Sequence, residues 1–378
     1  MKKSYPMAHP HIGKKEEKYV LEVLRSGTLS IGPKIEAFEK KFAKFVGAKY
    51  ACAVSSGTAG LHLALIAVGI KKGDEVITSP FSFIASANVI LYVGAKPVFV
   101  DVDQRTGNID PKKVEKAVTK KTKAILPVHI FGQPAEMGAI MKIAKKHKLM
   151  VIEDACESLG AKHKGKMAGT FGQSGVFAFY ANKQMTTGEG GMIVTNDRAV
   201  DELCRSLRNQ GRTPDMQWLD HKYLGFNYRM DEMSAALGLA QIEKIDFLIK
   251  KRQEIARWYG KELKRIRSLV EIPRTAPGAT HTWFVYVVQI KNSRTNRDTV
   301  IQELAKRGVS SKPYLPSIHL FSFYKDRFGY DAGDFPIAES ISASVLALPF
   351  YIGLTRQDIK NIVEILGTTL QQHERVQK

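Results

Sequence analysis

Cysteine is scarce in this chain: Cys52, Cys156 and Cys204 are the only three in 378 residues. An odd, widely spaced set offers no disulfide framework and no CxxC zinc signature, so a reducing compartment, the cytoplasm, is expected. Acidic residues are also short. Thirty-seven Asp and Glu stand against 57 Lys and Arg, a formal charge of +20, which suits an anionic partner without identifying it. The basic residues are scattered over helical patterns with no zinc finger or RNP-like aromatic motif, so nucleic acid is not the expected partner. Long apolar runs are missing too. The charge-free stretch at 76–95 approaches bilayer length, but it contains Pro80, Asn88 and several serines and reads as a buried globular segment. Residues 1–13 are polar and proline-punctuated, without the apolar core of a signal peptide. Neither a low-complexity tract nor a solenoid repeat is visible.

What is present is an alternation of short apolar runs and helical patterns. Strands are predicted at Tyr50–Val54, Val76–Thr78, Pro97–Val102, Ala124–Val128, Met150–Ile152 and Met192–Thr195. Helices are predicted at 35–45, 61–68, 137–148 and 200–208. This is the pattern of a buried, mainly parallel α/β sheet. One or two long helices over 233–259 lead into a different pattern: a long β run at 282–290 and helices at 299–306 and 359–366. The chain therefore divides near residue 247, into a large α/β domain (1–247) and a smaller α+β domain (248–378).

Three constellations carry chemistry. Ser55-Ser56-Gly57-Thr58-Ala59-Gly60 lies between a strand and a helix, where small residues and free helix N–H groups suit a phosphate. Taken alone it is equally a plain capped turn, and it has neither Walker A spacing nor an ordered GxGxxG. Glu153-Asp154-Ala155-Cys156-Glu157 follows an apolar strand, placing carboxylates where open α/β sheets bind ligands. No His falls at ligand spacing from this cluster, so no metal is expected. Lys183 is the single lysine of Phe177–Gly191, after an aromatic run and before a glycine-rich bend. A lysine shielded from water is a nucleophile for Schiff-base chemistry.

Phosphate loop, acid and lysine, in that order, resemble fold-type I enzymes that use pyridoxal 5′-phosphate (PLP). The chain is similar to the DegT/StrS family of nucleotide-sugar aminotransferases over nearly its whole length. The resemblance rests on Ser26–Pro33, Ser56–Ala59, Gly73–Ile77, Pro97–Asp101, Pro127–Pro134, Glu153–Ala155, Lys183, Gly225–Arg229, Gly333–Glu339 and Leu348-Pro349. It implies a seven-stranded, mainly parallel sheet flanked by helices, with a smaller C-terminal α+β domain. By the same resemblance, Lys183 joins PLP as a Schiff base and moves protons, and Asp154 pairs with the ring nitrogen. Phe83 matches the aromatic that stacks on the ring. Gly57, Thr58 and Ala59 match the phosphate cradle, and Asn227 matches a residue reaching the phosphate from a neighbouring subunit, hence a homodimer with shared sites.

Two positions depart from the commonest family pattern. Ala178 stands where many members have a phosphate-binding Ser. Glu157 stands where many have Gln or His, near the phenolic oxygen of the cofactor, and a carboxylate there has to be protonated or hydrogen-bonded elsewhere. His319 reads as a plain polar loop residue. The activity implied is transfer of an amino group from L-glutamate to a keto sugar of a nucleotide diphosphate, with Thr186–Gly191 resembling members that act at C4. Relatives that dehydrate sugars replace the lysine with histidine, and a purely regulatory relative needs no Schiff base; Lys183 and Asp154 speak against both.

Overall fold

A computed structural model of the chain describes residues 3–213, 220–292 and 295–376. Its strands are β1 (Tyr50–Val54), β2 (Glu75–Thr78), β3 (Lys96–Phe99), β4 (Thr122–Ile125), β5 (Met150–Asp154), β6 (Lys162–His163), β7 (Lys166–Met167), β8 (Ser174–Ala178), β9 (Gly191–Thr195), β10 (Val270–Glu271), β11 (Ala279–Thr280), β12 (Tyr286–Ile290) and β13 (Val345–Leu348). Seven of them form the main sheet in the order β1-β9-β8-β5-β4-β2-β3. The pairs β2–β3, β2–β4, β4–β5 and β5–β8 are parallel. Strand β9 alone runs against its neighbours β1 and β8. The reason is the connection. No crossover helix follows β8; the loop 179–190 returns the chain beside it, which only an antiparallel pair permits. That loop carries Lys183.

The parallel strands have near-continuous buried runs, as in β2 and β5, because helices cover both faces. The helix Gly57–Ala67 is apolar almost all round and buries Leu61, Leu63 and Leu65. A second core gathers Tyr5 with Ile255, Tyr259, Tyr286, Val288, Leu304, Leu346 and Ile362 around the three-stranded sheet β10-β12-β13. The long helix Ile245–Glu262 feeds this core, and residue 247 lies within it.

Several expected boundaries move. The helix expected from residue 61 begins at Gly57, and the strand expected to reach Val102 stops at Phe99. The strand expected at 124–128 is Thr122–Ile125. The long β run at 282–290 is strand only from Tyr286; Thr282 and Phe284 instead give their N–H groups to the carbonyls of Gly132 and Phe131, both at 2.9 Å. Tertiary pairing overrides β propensity there. Among the described residues no helix is long and apolar enough to cross a membrane.

Candidate active site

Strand β5 delivers two adjacent carboxylates to opposite faces of the sheet, as strand alternation requires. Glu153 is wholly structural. It accepts N–H bonds from Gly169 (2.8 Å), Phe171 (2.6 Å) and Gly172 (2.9 Å) and lies 2.9 Å from His129 Nε2. Since His129 Nδ1 accepts the Ala135 N–H, the ring hydrogen sits on Nε2 and is donated to Glu153. Asp154 faces the other way. Its Oδ2 accepts the Ser86 hydroxyl at 2.7 Å and its Oδ1 the Cys156 N–H at 3.1 Å. Ser86 spends its hydrogen on Asp154, so Ser82, 2.8 Å away, is the donor to Ser86. Phe83 lies between these serines in sequence, with its side chain 62% exposed.

Lys183 reaches the same region from the loop after β8. Its Nζ lies 3.6 Å from Glu157 Oε1 and 3.9 Å from the ring centre of Phe284. The other Glu157 oxygen accepts the Phe131 N–H at 2.9 Å. Burial raises the Glu157 pKa above the ordinary carboxylate value; Lys183 and the Phe131 N–H oppose the shift without cancelling it. The half-buried Tyr314 phenol, near Glu157, is pushed up as well, chiefly by burial. It accepts a hydrogen bond from Asn182 at 3.4 Å.

The third component is the start of the helix Gly57–Ala67. Ser56 caps it, its hydroxyl oxygen accepting the Ala59 N–H at 3.1 Å. Helix geometry leaves the Gly57 and Thr58 N–H groups without an intrahelical partner. Ala59 is occupied by the cap, so Gly57 and Thr58 are the free donors. A Cβ at Gly57 would stand 2.8 Å from Ala178 Cβ and 2.9 Å from Cys156 Sγ. Only glycine lets this helix end abut the tips of β5 and β8, and Ala178 offers it a methyl and no hydroxyl.

An anion cradle, a buried acid, a largely shielded lysine and an exposed aromatic are the functional groups that PLP requires, and these residues fit it. Asn227 is placed differently. The carbonyl of its neighbour Tyr228 accepts the Ser55 N–H, but the Asn227 side chain is exposed and, among the described residues, receives no hydrogen bond. It does not cap the next helix, Glu232–Ile242; Asp231 does, accepting the Ser234 N–H at 2.8 Å. His319 is buried, 3.0 Å from Glu339 and edge-on to Phe335. Among the described residues no group of three or more His, Cys, Asp or Glu could hold a metal.

The profile of the DegT/DnrJ/EryC1/StrS aminotransferase family matches residues 10–367. The chain belongs to this family. As a DegT/DnrJ/EryC1/StrS protein it is a PLP-dependent aminotransferase with the fold-type I architecture described above. It is 41% identical over 366 residues to the GDP-perosamine synthase of Caulobacter vibrioides, covering 96% of this chain and 98% of that one. It is 34% identical over 374 residues, 97% of this chain and 96% of the other, to EpsN of Bacillus subtilis, named as a pyridoxal phosphate-dependent aminotransferase. Among solved structures, PseC of Helicobacter pylori, an aminotransferase in pseudoaminic acid biosynthesis, superposes with a TM-score of 0.93 at 31% identity, covering 98% of this chain and all of its own.

Ser86, Phe131, Phe284, Tyr314 and Arg252 escaped the sequence analysis. Arg252 had a signal. It falls on the same helical stripe as Leu248, Ile255, Ala256 and Tyr259, all buried, and a charge on an apolar stripe marks a special position.

Proposed function

We propose that this aminotransferase takes the amino group of L-glutamate and places it on C4 of a 4-keto-6-deoxy sugar carried by a nucleoside diphosphate. The enzyme is a nucleotide-sugar aminotransferase working in the cytoplasm as a homodimer with shared sites. The observation that carries the reading is Lys183, set with its amine between a carboxylate and an aromatic face, near the Asp154–Ser86 pair and the free end of a helix. The GDP-perosamine synthase relative favours a GDP-linked acceptor, and Thr186–Gly191 favours C4. The three cysteines are free, in keeping with a reducing compartment.

When bound, PLP supplies the electron sink for charge that develops at the Cα of the amino acid. Asp154 would hold a proton on the ring nitrogen, with Ser86 and the Cys156 N–H keeping its carboxylate aimed. Gly57 and Thr58 would donate to the phosphate, while Ala59 closes the cap behind them. Phe83 would lie against the ring. Lys183 Nζ would take the proton from the substrate Cα. Asn227 of a second copy would reach the phosphate, in keeping with its exposed side chain, which receives no hydrogen bond among the described residues. The excess of positive charge attracts the doubly charged sugar nucleotide.

The test is amination of a panel of 3-keto and 4-keto sugar nucleotides with glutamate, read by mass. Exchange of the keto oxygen for an amine on a 4-keto-6-deoxy substrate is the expected result. Amination of only 3-keto substrates would overturn the C4 assignment.

A further inference from the structure

Whenever the amine of Lys183 is not joined to the cofactor it needs a resting place, an inference that depends on the aminotransferase reading above. We propose that the ring of Phe284 and the carboxylate of Glu157 form a fixed seat for that free ammonium. Phe284 is thereby a positioning residue for proton transfer.

The geometry is that of a cation seat. Lys183 Nζ stands 3.9 Å from the Phe284 ring centre and 3.6 Å from Glu157 Oε1. Phe284 is 2% exposed, so the cation meets the ring face with little competing water. An aromatic face and a carboxylate both attract an ammonium group. The seat holds Nζ in one place between turnovers, against Glu157 and Phe284.

Both walls hang from one residue. Phe131 gives its N–H to Glu157 Oε2 at 2.9 Å and accepts the Phe284 N–H on its carbonyl at 2.9 Å. To serve both it adopts φ 57°, a left-handed conformation uncommon outside glycine. Gly132 follows at φ 100°, where a Cβ would lie 2.7 Å from the Trp283 nitrogen and 2.9 Å from that of Phe284. Glycine is what lets the two segments touch. The neighbour of the lysine is tied to the same frame: Gln184 Nε2 bonds the Glu157 carbonyl, and Thr282 Oγ1 at 3.2 Å. A seat held at this many points is preorganised and does not form on demand.

The experiment uses the enzyme loaded with pyridoxamine 5′-phosphate, in which Lys183 is free. Trace acetic anhydride at neutral pH labels each lysine in proportion to its uncharged, accessible fraction. Acetylation of Lys183 is read by mass spectrometry against exposed Lys164 as internal standard. Phe284→Leu and Glu157→Gln should each speed Lys183 labelling about three- to tenfold. Phe284→Tyr keeps the aromatic face and should stay within about twofold of the parent. Equal labelling in Phe284→Leu and parent, or an equal rise in Phe284→Leu and Phe284→Tyr, would overturn the proposal. Should Phe284→Leu fail to fold, an unchanged rate in the near-isosteric Glu157→Gln does the same. Failure of the transfer reading shows elsewhere: the parent loaded in this way would not regain its colour with 2-oxoglutarate, whatever the labelling pattern.

Discussion

Arg252 and Lys183 meet at a backbone carbonyl: the guanidinium donates to the Lys183 oxygen at 3.1 Å. The same group donates to the carbonyls of Trp283 and Phe284 at 3.2 and 3.3 Å. No carboxylate among the described residues pairs with it, and burial draws its pKa down to about 10. A buried cation that donates to three carbonyls, with its Nε left unpartnered among the described residues, fixes the lysine loop to the segment that bears Phe284.

Replacing Arg252 with lysine keeps the charge but loses the planar fork that spans the three carbonyls. We expect Arg252→Lys to lower kcat about tenfold, roughly 1.4 kcal/mol in barrier, and to leave the cofactor bound. Steady-state kinetics with a cofactor absorbance titration checks this. An unchanged kcat would mean that the bridge serves only packing.

Lys183→Ala should retain PLP noncovalently and lose both the yellow absorbance of the joined cofactor and steady-state transamination. Absorbance spectra with and without L-glutamate decide the point. Normal turnover by that variant would remove Lys183 from the reaction.

Asp154→Ala should fold and lose most of its activity. Removing one preorganised electrostatic contact from a water-poor site typically costs about 3–4 kcal/mol of barrier. Ser86→Ala, which only frees one oxygen of the carboxylate, should cost far less. Comparable losses in the two variants, measured as kcat, would show that Ser86 does more than aim Asp154.

Asp101 ties the main sheet to the helix Pro336–Ser344. It accepts the N–H groups of Ile337 (3.1 Å) and Ala338 (2.8 Å), and Lys113 Nζ at 3.0 Å. Burial alone would raise its pKa, but Lys113 and these N–H groups outweigh it, and the carboxyl is held below its ordinary value. A depressed folded value contributes stability above the unfolded carboxylate pKa, about 3.9, and that contribution disappears as pH falls through the folded value. Asp101→Asn should therefore be about 1.5–3 kcal/mol less stable at neutral pH, with the gap closing below about pH 4. Denaturant unfolding at several pH values tests this; a gap independent of pH would rule out the charge as its source.

Mixing Lys183→Ala with Asn227→Asp tests the shared site. Each is expected to be nearly inactive alone. After dissociation and reassociation, a hybrid dimer holds one site with an intact lysine and an intact asparagine, so activity should return. Confirmed hybrids without activity would place Asn227 in its own subunit.

The parts that sequence made legible are those in which chemistry and local pattern coincide. Asp154 closes an apolar strand, Lys183 stands alone in a stretch otherwise free of basic residues, and Gly57 opens a helix; each announces itself within a few residues. The structural role of Glu153 is not legible locally; it follows from strand alternation, which turns it away from Asp154 and onto the N–H groups of Gly169, Phe171 and Gly172. Phe284 and Arg252 lie far along the chain from Lys183 and touch it only through tertiary packing. Nothing local tells an aromatic in a β-prone run that Phe131 will claim its N–H. By its local pattern the run therefore reads as strand four residues too early.

Strand β1 has one ladder partner, and all of it lies in residues 191–195. During synthesis, Ala51, Cys52, Ala53 and Val54 leave the ribosome long before Gly191 does. Until then this edge carries unsatisfied backbone groups and apolar side chains, a surface on which other chains can pair. Fragments ending before residue 191 lack that ladder altogether. The segment that turns the chain back to supply it is the loop holding Lys183, so the sheet cannot close before Lys183 has been made.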